Sequence, residues 1–196
     1  EAAKASADKV HLVLSERNLR VLGDFFKDNG VVIEGGIRPD LHKSSLSPKI
    51  DGVEIITHIQ PSAGGVADAM KAALGGIEGP FMVILGDNLL IRSHFGPDRS
   101  GPELASDASR ALVERFEENR TPCVGVFRVD LEETRKYGCI GFEGDFVDCI
   151  VEKPEPSEAP SEYVLCGRYL FPANTAEILE LFPWEDFGEM QSISLM

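Results

Sequence analysis

An α/β fold, built on a mostly parallel sheet with helices over both faces, is predicted by two features of this chain. Up to about residue 130, short and continuously apolar strand-like runs alternate with segments whose apolar residues recur at helical spacing. From Tyr137 onward, strand-like runs follow one another with no helix between them, which predicts antiparallel pairing there. Size agrees with one such unit, since 196 residues with 43% hydrophobic and 27% charged side chains supply one substantial core.

Taken in order, residues 10–14 read as a buried strand and 19–26 as an amphipathic helix, before a Gly, Pro and Ser-rich loop over 30–48. Residues 53–59 form the next strand. Gly64-Gly65 then leads into a helix over 66–74, where Val66, Ala69, Met70 and Ala73 repeat at helical spacing. The run Val83-Ile84-Leu85 is a strand that stops abruptly at Gly86-Asp87-Asn88. A helix over 105–118, with Leu112, Val113 and Phe116 on its apolar side, precedes a strand over 123–129. Strands over 139–142, 146–151 and 163–171 come next, with Gly144-Asp145 as the first turn and a proline-rich loop over 154–160 as the second connection. A helix over 175–181 ends the readable pattern.

Charge bounds the partners. With 19 Lys+Arg against 33 Asp+Glu the formal net charge is −14, which argues against a nucleic-acid backbone as ligand because that needs a basic face. Adaptation to high salt would also produce such acidity. A small phosphorylated ligand stays compatible, since a few cations and the amides of helix N-termini can converge locally whatever the net charge. No apolar run reaches the roughly 20 residues that a bilayer demands, and Glu1-Ala2-Ala3-Lys4 is not a secretory leader, so a soluble cytoplasmic protein is the expectation. Cys123, Cys139, Cys149 and Cys166 form no C-x-x-C pair and read as packed thiols. The four histidines show no ligand spacing, and there is no G-x-S-x-G elbow.

Three segments carry candidate chemistry, and each has an ordinary structural reading beside it. Asp87 follows a buried strand, where α/β sheets collect ligands, and its carboxylate could hold a divalent cation over phosphate; a Gly-Asp turn is also common loop chemistry. Gln60, just past a strand, offers a donor and an acceptor to a pyrimidine edge, with Gly65 allowing close backbone approach, although Gln-Pro before glycines is a common helix lead-in. No P-loop or G-x-G-x-x-G spacing occurs in that segment. At Glu152-Lys153-Pro154 a strand delivers an acid and a base in succession, which alternation should send to opposite faces, each to its own partner; a solvated strand end reads the same way. Tyr137-Gly138 could border the same pocket or simply turn into the next strand.

In succession, Gln60-Pro61, Gly65-x-Ala67, Leu85-Gly86-Asp87-Asn88, Tyr137-Gly138, Glu152-Lys153-Pro154 and Gly167-Arg168-Tyr169 resemble the sugar-1-phosphate nucleotidyltransferases. Within that family the chain is similar to the glucose-1-phosphate uridylyltransferases and thymidylyltransferases. Glu152-Lys153-Pro154, Ala159-Pro160-Ser161, Gly167-Arg168-Tyr169 and Gly188-Glu189-Met190-Gln191 lean to the uridylyl branch; Gln60-Pro61 and Leu85-Gly86-Asp87-Asn88 lean to the thymidylyl branch. The resemblance implies a Rossmann-like sheet, with a nucleotide-binding half over 1–130 and a sugar-binding half, holding the antiparallel strands, over 131–196.

By resemblance, Gln60 and Gly65 would recognise the base, Asp87 would bind Mg²⁺, Tyr137 and Gly138 would border the sugar, Glu152 would bind its hydroxyls, Lys153 its phosphate, and Tyr169 would close the pocket. The partners implied are UTP or dTTP and a sugar 1-phosphate, with glucose 1-phosphate foremost; self-association into a homo-oligomer is compatible with this, and the sequence does not set it. The family's glycine-rich triphosphate loop with its arginine, its Pro-Lys lysine and its second metal aspartate have no match here. The expectation drawn is a chain incomplete at both ends and inactive alone, with an active parent. The alternatives are a non-catalytic nucleotide-sugar binding or regulatory domain, and an unrelated phosphohydrolase using Asp87, which the absence of a D-x-D disfavours.

Overall fold

In the computed structural model, residues 5–21, 54–61, 64–88, 90 and 107–180 are described; the loop over 30–48, residues 22–26 and 105–106, and the tail from 181 on lie outside them. The chain divides into two compact units, Ala2–Ile77 and Glu78–Met196, each with its own sheet.

The first unit holds β1 (Lys9–Leu14), α1 (helical over 16–21), β2 (Glu54–Ile59) and α2 (Gly65–Leu74). β1 and β2 pair in parallel from Lys9↔Glu54 to Leu14↔Ile59. Helix α1 starts where a serine can cap it: the Ser15 hydroxyl accepts the Asn18 amide at 3.2 Å, and Leu19 is buried on its first turn. α2 buries Val66, Ala67, Met70 and Ala73. That stripe is one residue off the sequence reading, with Ala67 rather than Ala69 inward. Between the strands, His11 Nδ1 lies 2.8 Å from His58 Nε2, with His58 buried.

The second unit holds β3 (Phe81–Ile84), α3 (Ala108–Asn119), β4 (Cys123–Arg128), β5 (Gly138–Glu143), β6 (Phe146–Glu152), β7 (Tyr163–Phe171) and α4 (Thr175–Glu180). Two short 3-10 helices, Leu131–Lys136 and Pro156–Glu158, bridge β4 to β5 and β6 to β7. β5 and β6 form a hairpin turned at Gly144, whose φ is +63°. β7 is the hub, pairing antiparallel with β3, β4 and β5. Its composition fits that place: Val164, Leu165, Cys166, Tyr169, Leu170 and Phe171 are all buried, as a strand covered on both faces requires.

The α/β class of the sequence reading stands, and the balance of strand directions within it has a physical reason. β3 and β4 both run opposite to β7 and are therefore parallel to one another, as a strand–helix–strand crossover through α3 demands. Both pair with Tyr169 and Leu170, so β7 fills the slot between them in the reverse direction. Among the described residues the one parallel ladder is β1 with β2. Strand–helix alternation reveals the direction of β3 and β4, but not the late strand that inserts between them.

Candidate functional site

The edges of β7 position the second unit's site. β4 overlaps β3 at residues 169–170 of β7 and overlaps β5 at Val164, so β3 and β5 must share the opposite edge of β7. On that edge Ile84 stands across from Arg168 and Cys139 across from Val164. Among the described residues the end of β3 and the start of β5 therefore face each other across a notch, Ile84 and Cys139 standing four residues of β7 apart, roughly 13 Å at 3.3 Å per residue. Asp87 lies just past one lip, and Tyr137 and Gly138 form the other.

On the first lip, the Leu85 amide donates to Gly167 O at 3.0 Å, carrying the β3 ladder one step further before the chain turns at Gly86-Asp87. The Asn88 amide closes the turn on Leu85 O at 3.3 Å. Asp87 is exposed, and its Oδ1 accepts from Asn88 Nδ2 at 3.0 Å, which leaves Oδ2 for a ligand. Beneath the turn lies Arg168, only 1% exposed. Its guanidinium donates to Asn88 O at 2.8 Å, to Gly167 O at 3.0 Å and to Leu85 O at 3.4 Å. Gly167 is required beside it: its φ is +68°, and a Cβ there would stand 2.8 Å from Asn88 Nδ2 and 3.0 Å from Leu85 Cβ.

On the second lip, four of the residues singled out in the sequence come together. Gly138 pairs with Glu152 across the hairpin, and the Lys153 amide donates to Tyr137 O at 2.9 Å. The Tyr137 ring stands edge-on to Phe127, with centroids 5.5 Å apart. Glu152 and Lys153 depart from the strand-alternation expectation: they pair with each other, Nζ to Oε1 at 3.4 Å. Alternation fails because Lys153 has left the strand, with a φ of +45° that swings its side chain back to the side of its neighbour. Both side chains are exposed, so the pair is worth little, about 0–1 kcal/mol.

Gln60 and Gly65 belong to the first unit. The Gln60 amide donates to Leu14 O at 2.9 Å, extending the parallel ladder, while Nε2 donates to Gly65 O at 3.1 Å and to Asp68 Oδ2 at 2.8 Å. Tyr169 is 2% exposed, late in β7, and stacks on Phe171 with centroids 6.3 Å apart.

Sequence reading passed over Asn88, Arg168 and Asp68 as functional groups. An arginine inside an otherwise apolar strand was a usable signal, because a buried cation must have dedicated acceptors. As for a metal, no group of three or more His, Cys, Asp or Glu gathers among the described residues. One carboxylate on a fixed turn nevertheless fits Mg²⁺, which keeps several waters and is commonly held by one or two carboxylates plus substrate phosphates.

The layout is that of a Rossmann-like α/β protein with its candidate groups at strand ends. A family model described as nucleotidyl transferase matches residues 2–193, and the chain belongs to that family. It is 28% identical over 189 residues to UTP--glucose-1-phosphate uridylyltransferase 2 of Streptococcus pyogenes serotype M3, an alignment covering 92% of this chain and 60% of that protein. The chain thus spans about 60% of the length of the curated relatives it matches. Two solved structures share the fold. One is a UDP-glucose pyrophosphorylase complexed with UDP-glucose, at TM-score 0.70 and 24% identity over 98% of this chain and 70% of that one. The other, from Bacillus anthracis, is assigned as a glucose-1-phosphate thymidylyltransferase, at TM-score 0.68 and 20% identity over 97% of this chain and 64% of that one.

Proposed function

We propose that the protein carrying this chain transfers a nucleotidyl group from UTP or dTTP to a sugar 1-phosphate, with glucose 1-phosphate the foremost acceptor, releasing pyrophosphate. One observation carries the reading: the β7 notch has an exposed carboxylate on a clamped turn at one lip and an exposed lysine–glutamate pair at the other. The relatives' names point the same way, since they act on UTP and glucose 1-phosphate. With a net charge of −14, two small phosphorylated partners suit the chain better than nucleic acid.

In this reaction an oxygen of the sugar phosphate attacks the α-phosphorus in line, forming the new P–O bond as the bond to the β-phosphate oxygen breaks. No protein nucleophile is required, so the work is placement and charge compensation. Lys153 would meet the sugar phosphate and Glu152 the sugar hydroxyls. Their mutual ion pair is exposed and weak, so exchanging it for substrate costs little. Tyr137 and Gly138 would border the sugar, and Gln60 and Gly65 would read the pyrimidine. Asp87 Oδ2 and the nucleotide phosphates would hold Mg²⁺, which supplies charge neutralisation at the reacting phosphates. The core position of Tyr169 lends support to packing rather than sugar contact.

The test is pyrophosphate release by the full protein with UTP, dTTP and a set of sugar 1-phosphates. Asp87→Asn keeps the shape and removes the charge, and should lower turnover by 10²-fold or more, about 3 kcal/mol of barrier. Unchanged turnover would remove Asp87 from the mechanism. Binding of nucleotide sugars with no turnover on any acceptor would replace the transferase reading with a binding-domain one.

A further inference from the structure

The Gln60 carboxamide is held in one of its two possible orientations. Its Nε2 carries two hydrogens, and both are committed: one to Gly65 O at 3.1 Å and one to Asp68 Oδ2 at 2.8 Å. A carbonyl and a carboxylate can only accept, so the nitrogen must face them, and Oε1 is the group left to offer. Rotating the amide by half a turn would set Oε1 against two acceptors at once.

The lock is itself held in place. Gln60 is tied by its backbone to Leu14 at 2.9 Å, one step past the end of β2. Asp68 stands in the first turn of α2, where the helix end favours a carboxylate. The carboxylate packs into the space that Gly64 leaves, since a Cβ at Gly64 would stand 2.8 Å from Asp68 Cβ and Cγ. Gly65 takes a φ of +84°, a conformation that favours glycine, and its carbonyl accepts from the amide.

We propose that Asp68 is a positioning residue for base choice: by fixing Gln60 with its oxygen outward, it makes this segment select pyrimidines that carry an N3–H, uracil and thymine, against cytosine. The proposal rests on the reading that Gln60 meets the base. An outward acceptor pairs with the N3–H of uracil or thymine and opposes the N3 lone pair of cytosine. Gly65 O alone leaves the second Nε2 hydrogen uncommitted; the carboxylate supplies the charge-assisted bond that closes the lock.

The experiment is calorimetric binding of UTP and of CTP to the full protein, with variants Asp68→Asn and Gln60→Ala. Asp68→Asn is nearly isosteric, yet it replaces an obligate acceptor by a group that can donate to Gln60 Oε1 and so turn the amide. It should narrow the UTP-to-CTP affinity ratio about tenfold, through weaker UTP binding, with the melting temperature little changed. Asp68→Ala, which leaves only Gly65 O, should narrow it less than Asp68→Asn and serves if the first variant does not fold. If Gln60→Ala abolishes the preference while both Asp68 variants keep it, Gln60 reads the base unaided and the proposal is overturned. If Gln60→Ala leaves UTP and CTP affinities as they were, the base contact lies elsewhere, and the reading of Gln60 fails together with the role of Asp68.

Discussion

Replacing Arg168 by methionine removes the support under the turn that carries Asp87, and the structure allows the cost to be apportioned. Among its partners in the described residues, three carbonyls lose a guanidinium donor: Asn88 O at 2.8 Å, Gly167 O at 3.0 Å and Leu85 O at 3.4 Å. Two of them retain a backbone donor, since Gly167 O also accepts from the Leu85 amide and Leu85 O from the Asn88 amide. Asn88 O keeps no donor among the described residues. The loss is thus dominated by one charge-assisted bond and the carbonyl it leaves bare, about 2–3 kcal/mol. Desolvation of a guanidinium only 1% exposed offsets part of what the bonds supply, which keeps the estimate from rising to the sum of three.

Because the bonds converge on one turn, that energy should appear as local opening rather than uniform loosening. Hydrogen exchange at the Leu85 and Asn88 amides should accelerate by about 30- to 150-fold, the equivalent of 2–3 kcal/mol, while amides of the β5–β6 hairpin stay near wild type. Mass spectrometry of peptides covering residues 81–88 and 138–152 reads both at once. Arg168→Lys, with charge but no planar fork, should fall between. Equal protection of the turn in Arg168→Met and wild type would refute the clamp, as would equal acceleration in both peptides.

Other perturbations test neighbouring parts of the structure. Gly167→Ala forces a side chain into a φ of +68° against Asn88 and Leu85, and chemical denaturation should show a loss of about 2 kcal/mol or more. Thr57 is 1% exposed, with no hydrogen-bond partner for Oγ1 among the described residues, so the isosteric Thr57→Val should raise stability by about 1 kcal/mol; a loss would reveal a partner for that hydroxyl. Burial, with Glu152 adding to it, pushes the Cys139 thiol above its ordinary value, and burial does the same to Cys123, partly opposed by Arg115. In the unfolded chain such thiols ionise first, so stability is fully present below about pH 8.5 and is lost as pH rises through the folded values. Melting temperature should drop on that alkaline limb, and Cys139→Ala should flatten the drop. At neutral pH, exposed Cys149 should react with a thiol reagent well before buried Cys139 and Cys166.

The parts of the fold visible in the sequence were those with local causes. Strand ends at Leu14, Ile59 and Ile84, and the helix following Gly64-Gly65, are written in apolar runs and glycine punctuation, and the structure places them within a residue or two. Strand alternation misled at Glu152-Lys153 because it holds only while the chain stays extended, and a single residue at φ +45° undoes it. The roles of Asn88, Arg168 and Asp68 were hidden for a different reason. Each works by reaching a group that propensity does not connect to it, Arg168 to Leu85 across 83 positions and Asp68 to Gln60 across 8.

The notch follows from the one topological feature that local patterns could not reveal. Had β4 lain directly beside β3, the parallel pair would have closed the edge on which Asp87 sits, and Tyr137 and Gly138 would have begun at some other strand. With β7 inserted in reverse, β3 and β5 each use only part of one long edge, and among the described residues the stretch at Leu165 and Cys166 separates them. A buried arginine at that gap is then understandable in physical terms. Where a ladder stops short, the free carbonyls of the turn need donors, and a side chain from the neighbouring strand can supply several from one rigid fork. The same fork holds the backbone on either side of Asp87, at Leu85 and Asn88, so strand insertion, arginine burial and the placing of the proposed metal ligand form one chain of causes, and the exchange experiment on Arg168 strikes its middle link.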